Sequence, residues 1–120
     1  MDDNPLVRTA TASLLRSYGY RTVEYSCGED LVATDLEGVD CIVSDVQMPE
    51  MSGMDLFRRL RADGRGQPVI LMTAYPNARL EHEARDQGVH AVIEKPLDGD
   101  TLEAVVASSL DTAISRIGSP

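Results

Sequence analysis

Basic charge is scarce in this chain of 120 residues: 11 Lys and Arg stand against 20 Asp and Glu, a formal net charge of −9. A surface so acidic has little with which to neutralise phosphates, which argues against direct binding to nucleic acid or to an anionic membrane. Cysteine is also rare. Cys27 and Cys41 are the only two, and Cys41 opens an apolar, β-branched run. They read as reduced, packed thiols of a cytoplasmic protein and not as a disulfide framework. His82 and His90 are not spaced with Cys or acids as zinc ligands are, and read as surface residues. No apolar run approaches the length of a membrane span, no signal peptide precedes the first helical pattern, and neither repeats nor low-complexity segments occur. The length suits one domain, residues 1–120, with a single core.

What the chain does have is a regular alternation of short apolar runs and amphipathic segments. Asn4 is a suitable N-cap with Pro5 at the first helical position. Leu6, Val7, Ala10, Leu14, Leu15 and Tyr18 then share a helical face, and Gly19 ends the helix. Tyr20 to Tyr25 reads as a short strand. Ser26 with Glu29 forms a capping-box pattern for a second helix to about Leu36. A strand ends at Asp45, and Ser52 with Asp55 caps a third helix carrying Met54, Leu56, Phe57 and Leu60. Val69 to Thr73 is a strand. Residues 78–87 form a mostly polar helix stopped by Gly88, of the kind that the core holds weakly. The strand leading to Lys95 follows, then a last helix from about Asp98 with Leu102, Val105, Val106, Leu110, Ala113 and Ile117 on its apolar face. Strand and helix in alternation predict an α/β fold with a parallel sheet and helices on both faces.

The stretch Cys41-Ile42-Val43-Ser44-Asp45-Val46-Gln47-Met48-Pro49-Glu50-Met51-Ser52-Gly53 organises the rest. It places Asp45 at the carboxyl end of a buried strand, where such sheets bind ligands. Asp2 and Asp3 precede the first helix, Thr73 ends its strand and Lys95 follows its own. All of them gather at one edge of one sheet. Taken singly, each has an ordinary structural reading: the acids as cap or turn residues, Thr73 as a hydroxyl satisfying backbone, Lys95 as a solvated lysine before a turn proline, Pro96. Three crowded carboxylates, however, do not all stay ionised cheaply without a cation. Oxygen ligands with no Cys or His nearby favour Mg²⁺ over zinc.

This ordered set, with 28 residues from Asp45 to Thr73 and 50 from Asp45 to Lys95, resembles the receiver domain of two-component response regulators. Met48-Pro49, Gly53 and Ile93-Glu94-Lys95-Pro96 strengthen the likeness, most of all to the branch that carries a helix-turn-helix output domain. The resemblance implies a flavodoxin-like, doubly wound sheet of order 2-1-3-4-5. It also implies that Asp45 accepts a phosphoryl group from a histidine kinase or phosphotransfer protein. Asp3, Asp45 and the Gln47 backbone carbonyl would ligate Mg²⁺, with Asp2 acting mainly through a water. Thr73, Lys95 and the backbone N–H groups of Val46 and Ala74 would hold the phosphoryl oxygens. The Lys-Pro bond is commonly cis in this family. The module would signal to an output domain or effector protein, none being expected within 1–120, and would not be an enzyme beyond assisting its own phosphorylation and dephosphorylation. A homodimer through the 78–117 face or by strand exchange is a further expectation.

Two departures accompany the likeness. The family's hydrophobic strand ahead of the acidic pair is reduced to Met1, which would leave the strands at Tyr20–Tyr25 and Cys41–Ser44 unpaired. Val92 stands where the family carries Tyr or Phe, so the usual aromatic switch is not available, although Tyr75 could stand in for it. Gln47 and Tyr75 flank the family's path for a hydrolytic water and should set the lifetime of the phosphate. A pseudo-receiver that binds protein only is one competing reading. Another is a haloacid-dehalogenase-type phosphatase, which needs an acid where Gln47 sits and a cap domain that this length does not accommodate.

Overall fold

The computed structural model describes the backbone of residues 1–118 and the side chains of residues 1–110. Its elements run α1 (Pro5–Ser17), α2 (Gly28–Val32), β1 (Ile42–Asp45), α3 (Gly53–Ala62), β2 (Val69–Thr73), α4 (Ala78–Gln87), β3 (Ala91–Glu94) and α5 (Gly99–Gly118). The three strands form one parallel sheet of order β1-β2-β3. The register sets Asp45 beside Met72 and Thr73 beside Glu94, so the chemistry-bearing ends of the strands are level.

β2 is central, and all five of its residues are buried. Side chains alternate across a strand, and here that divides the core in two. Val69 and Leu71 pack with Leu31, Leu56, Phe57, Leu60 and Ala84 on the face covered by α2, α3 and α4. Ile70 and Met72 pack with Ile93, Leu102 and Val106 on the face covered by α1 and α5. A continuous apolar run is what a strand buried on both faces requires.

Local chemistry explains the helix ends. Asn4 Oδ1 accepts from the Leu6 and Val7 amides at 3.0 and 3.4 Å, with Pro5 in the first turn. Ser52 and Asp55 complete a reciprocal capping box at α3. Gly88 caps α4 at φ 97°, a left-handed conformation that glycine adopts without strain. The apolar positions expected at Ala113 and Ile117 lie outside the described side chains.

Two expectations fail. The second helix does not reach Leu36: it is five residues long, begins after Cys27, and Ser26 does not cap it. The Thr34 hydroxyl bonds back to the Asp30 carbonyl at 2.8 Å, and Asp35 accepts from the Glu37 amide at 2.9 Å. Such local bonds compete with helix propagation. Tyr20 to Tyr25, read as a strand, lies outside the ladder. Its Tyr25 carbonyl accepts from the Asp2 N–H at 3.4 Å. Met1 lies between that segment and β1. Its amine donates to the Val43 carbonyl, and its carbonyl accepts from the Asp45 N–H at 2.9 Å. That is the pattern of a parallel ladder one residue long. The observed β1-β2-β3 sheet is thus the 3-4-5 half of the expected strand order.

Candidate functional site

The carboxyl ends of β1, β2 and β3 and the turn before α1 converge. Asp45 closes β1 and is 7% exposed, Thr73 closes β2 at 1%, and Asp2 reaches the same edge at 1%. Lys95 follows β3, with its N–H on the Thr73 carbonyl at 2.8 Å. The Lys95–Pro96 bond is cis, as the resemblance implied.

One cation faces three acids. Lys95, the chain's only lysine, places Nζ 2.9 Å from Asp2 Oδ2 and 3.1 Å from Asp45 Oδ2. Carboxylate oxygens of Asp2, Asp3 and Asp45 all lie within 4.8 Å of one another, with Asp3 open to solvent. Burial pulls the Lys95 pKa down, but its bonds to Asp2 and Asp45 outweigh that and raise it. The Met1 amine behaves oppositely. Desolvation dominates and lowers its pKa to about 6, against the pull of Asp2 and Asp45. Instead of filling the acidic cluster, that amine donates to the Val43 carbonyl.

Each carboxylate is further positioned. Asp45 Oδ1 accepts from the Gln47 amide at 3.3 Å, and Asp2 Oδ1 from the Asn4 amide at 2.9 Å. Arg8 donates to the Asp2 carbonyl at 2.9 Å and lies 3.8 Å from Glu24. No pattern in the sequence singles out Arg8, since its partners are set by tertiary contact alone. Gly53 was legible only as part of a motif. A Cβ there would stand 2.5 Å from the Asp45 carbonyl oxygen and 2.9 Å from Leu71 Cδ2, so α3 approaches the end of β1 only because residue 53 is glycine.

The expected oxygen cradle is partly committed elsewhere. The Val46 N–H donates to the Met72 carbonyl at 2.9 Å and so belongs to the ladder. Thr73 Oγ1 accepts from the Tyr75 amide at 3.0 Å, which leaves its proton to donate. The Ala74 amide has no acceptor among the described residues. Val92 is half-buried against the α4 side of the core. It lines a pocket of about 250 Å³ with Glu81, Ala84, Arg85, Val89 and His90. Tyr75 is 70% exposed.

Comparison with known proteins gives a consistent picture. The chain is 35% identical over 112 residues to the transcriptional regulatory protein GlrR of Escherichia coli (strain K12), covering 92% of this chain and 25% of that protein. It is 34% identical over 111 residues to the transcriptional regulatory protein FixJ of Azorhizobium caulinodans, covering 92% and 53%. It therefore spans about a quarter to a half of the curated relatives it matches. Among solved structures, the response regulator StyR superposes with TM-score 0.87 at 27% identity, covering 97% of this chain and 59% of that one. A response regulator receiver protein from Burkholderia phymatum gives 0.78 at 32%, covering 92% and 91%. Residues 1–107 match the response regulator receiver domain, and the chain belongs to that family.

Proposed function

We propose that Asp45 is the phosphoacceptor of this receiver domain. The observation that carries the reading is the juxtaposition at the strand ends: three carboxylates with oxygens within 4.8 Å, two of them, Asp2 and Asp45, bridged by the one lysine. An Asp45 carboxylate oxygen attacks phosphorus, an acyl–phosphate bond forms, and the bond from phosphorus to the donor's imidazole nitrogen breaks with its electron pair leaving on that nitrogen. Phosphoryl transfer depends chiefly on placement and charge neutralisation. Lys95 supplies a positive charge to the phosphoryl oxygens. Thr73 supplies a hydroxyl and Ala74 an amide.

Three acids against one lysine leave an excess of negative charge and an all-oxygen donor set, which fits a hard divalent cation. Asp3, Asp45 and the Gln47 carbonyl are the ligands we assign to Mg²⁺, with Asp2 one water removed. When bound, the ion neutralises charge on the acids and on the incoming phosphoryl group. The donor is a histidine kinase or phosphotransfer protein. The output, by analogy with relatives named as transcriptional regulators, is control of transcription through a domain or partner that reads the surface of residues 78–117. Among the described residues no helix is long and apolar enough to cross a membrane, and the reading places the protein in the cytoplasm.

The test is intact mass after incubation with acetyl phosphate and Mg²⁺. The expected result is one hydroxylamine-labile phosphoryl group on the native chain and none on Asp45→Asn. Undiminished labelling of Asp45→Asn overturns the assignment. No labelling of the native chain makes it a protein-binding pseudo-receiver.

A further inference from the structure

Asp2 is fixed through each of its polar groups. Its Oδ1 accepts from the Asn4 amide at 2.9 Å, and its Oδ2 meets Lys95 Nζ at 2.9 Å. Its N–H reaches the Tyr25 carbonyl at 3.4 Å, and its carbonyl accepts from Arg8 Nη1 at 2.9 Å. The side chain is 1% exposed, so the carboxylate points where the backbone aims it. Of the two main-chain bonds, the one to Tyr25 is long and joins uncharged groups. The one from Arg8 is short and has an ionised donor, which makes a hydrogen bond roughly twice as strong. The reach of Arg8 has a local cause. Its N–H bonds to the Asn4 carbonyl at 2.9 Å and closes the first turn of α1. Helical side chains tilt toward the N-terminus, so Arg8 extends back over that turn to a residue six positions earlier. Its Nε lies 3.8 Å from Glu24 Oε1. One nitrogen of the guanidinium fork thus faces a carboxylate while another holds the carbonyl, a geometry that lysine does not reproduce.

Resting on the reading of Asp45 as phosphoacceptor, we infer that Arg8, steadied by Glu24, is a positioning residue for the phosphoryl-transfer site. The line of partners runs from Glu24 through Arg8, Asp2 and Lys95 to Asp45. Among the described residues Arg8 has no hydrogen bond or ion pair to Asp3, Asp45 or Lys95, so it acts through Asp2. It sets the place of the Asp2 carboxylate, which orients Lys95 beside Asp45 and is assigned to Mg²⁺ through a water. The side chains of Arg8 and Glu24 are 21% and 34% exposed; water screens their attraction, and the effect of the pair is directional. Asn4 still caps α1 when Arg8 is replaced, so the loss falls on Asp2 and not on the helix.

The test is Mn²⁺ binding to the full chain, followed by electron paramagnetic resonance, with Mn²⁺ taking the all-oxygen site assigned to Mg²⁺. It is run at a temperature where circular dichroism shows each variant folded. Arg8→Met keeps a flexible stem and removes the fork, and it should bind Mn²⁺ about fivefold more weakly than the native chain, as loss of an outer-shell partner does. Arg8→Lys should fall between the two, and Glu24→Gln should lose about twofold. The decisive comparison is made in Asp2→Asn. There Arg8→Met should weaken binding no further, because residues that act as one unit are not additive. A merely structural role would lower Tm and leave the affinity of the folded chain unchanged. Native affinity in Arg8→Met, or the same loss in the Asp2→Asn background as in the native one, would overturn the inference while leaving the metal site standing. If Arg8→Met does not fold, native affinity in both Arg8→Lys and Glu24→Gln overturns it. A native chain that binds no Mn²⁺ would remove the metal assignment and this inference together, whereas labelling of Asp45 is read separately by mass.

Discussion

Lys95→Met tests the electrostatic balance of the site most directly. By side chain alone, native Lys95 is 19% exposed and bridges Asp2, at 1%, and Asp45, at 10%. Methionine keeps the volume and the flexible stem but removes the charge, leaving Asp2 and Asp45 without their cation. Breaking a fully buried ion pair costs about 3–5 kcal/mol. Here the residual exposure of Lys95 and Asp45 reduces this to about 2–3 kcal/mol, since water screens part of the loss. For a chain of this size each kcal/mol corresponds to about 4 °C in Tm. The variant should therefore melt about 8–12 °C lower in EDTA at neutral pH, as read by far-UV circular dichroism. Millimolar Mg²⁺ should restore much of that loss, because an ion bound by the folded acids and not by the unfolded chain stabilises by mass action. The Mg²⁺-induced rise should thus be larger in Lys95→Met than in the native protein. A variant that melts within about 1 °C of native in EDTA would refute the reasoning, since two buried carboxylates would then tolerate losing their partner.

Other expectations follow from the same geometry. Asp3→Ala removes an exposed member of the acidic cluster, so it should shrink the Mg²⁺-induced rise in Tm without lowering the metal-free Tm; an unchanged rise would exclude Asp3 as a ligand. Gly53→Ala drives a Cβ against the Asp45 carbonyl and should cost about 2–3 kcal/mol by overpacking, with slower phosphorylation; a native melting curve would show that α3 can shift freely. The Lys95 pKa is raised above 10.5 in the folded state, so its stabilisation is complete below that pH and is lost as pH climbs through the folded value. Urea titrations above pH 10.5 should show a steeper loss for the native chain than for Lys95→Met, and parallel curves would contradict this. Val92→Tyr should fill the pocket between α4 and β3 and enlarge the phosphorylation-dependent change in hydrogen exchange over residues 78–110, whereas no difference from native would mean that an aromatic ring at this position does not carry the signal.

Much of this protein was legible before folding was considered. The run from Val69 to Met72 is apolar at every position because β2 is buried on both faces, and the pattern of Ser52 and Asp55 is a local bond that any such helix start can make. The order of Asp2, Asp3, Asp45, Thr73 and Lys95 was readable because each sits where a parallel strand ends or a helix begins. Their convergence follows from topology and not from distant side-chain detail. The tertiary structure decided what depends on a neighbour. Tyr20 to Tyr25 has the composition of a strand, yet a strand needs a partner at ladder distance, and among the described residues this segment joins no ladder. Ser26 and Glu29 carry a cap signature, but Thr34 and Asp35 bond to the backbone locally and end α2 early. The Val46 amide, free on paper, is taken by Met72 because the ladder continues one residue past Asp45. Arg8 holds the Asp2 main chain, and Gly53 admits the end of β1, through contacts between segments far apart in sequence. Hydrophobic period and capping chemistry act within a few residues and are written in the chain. Pairing, close approach and the competition for each buried N–H exist only once the segments have met.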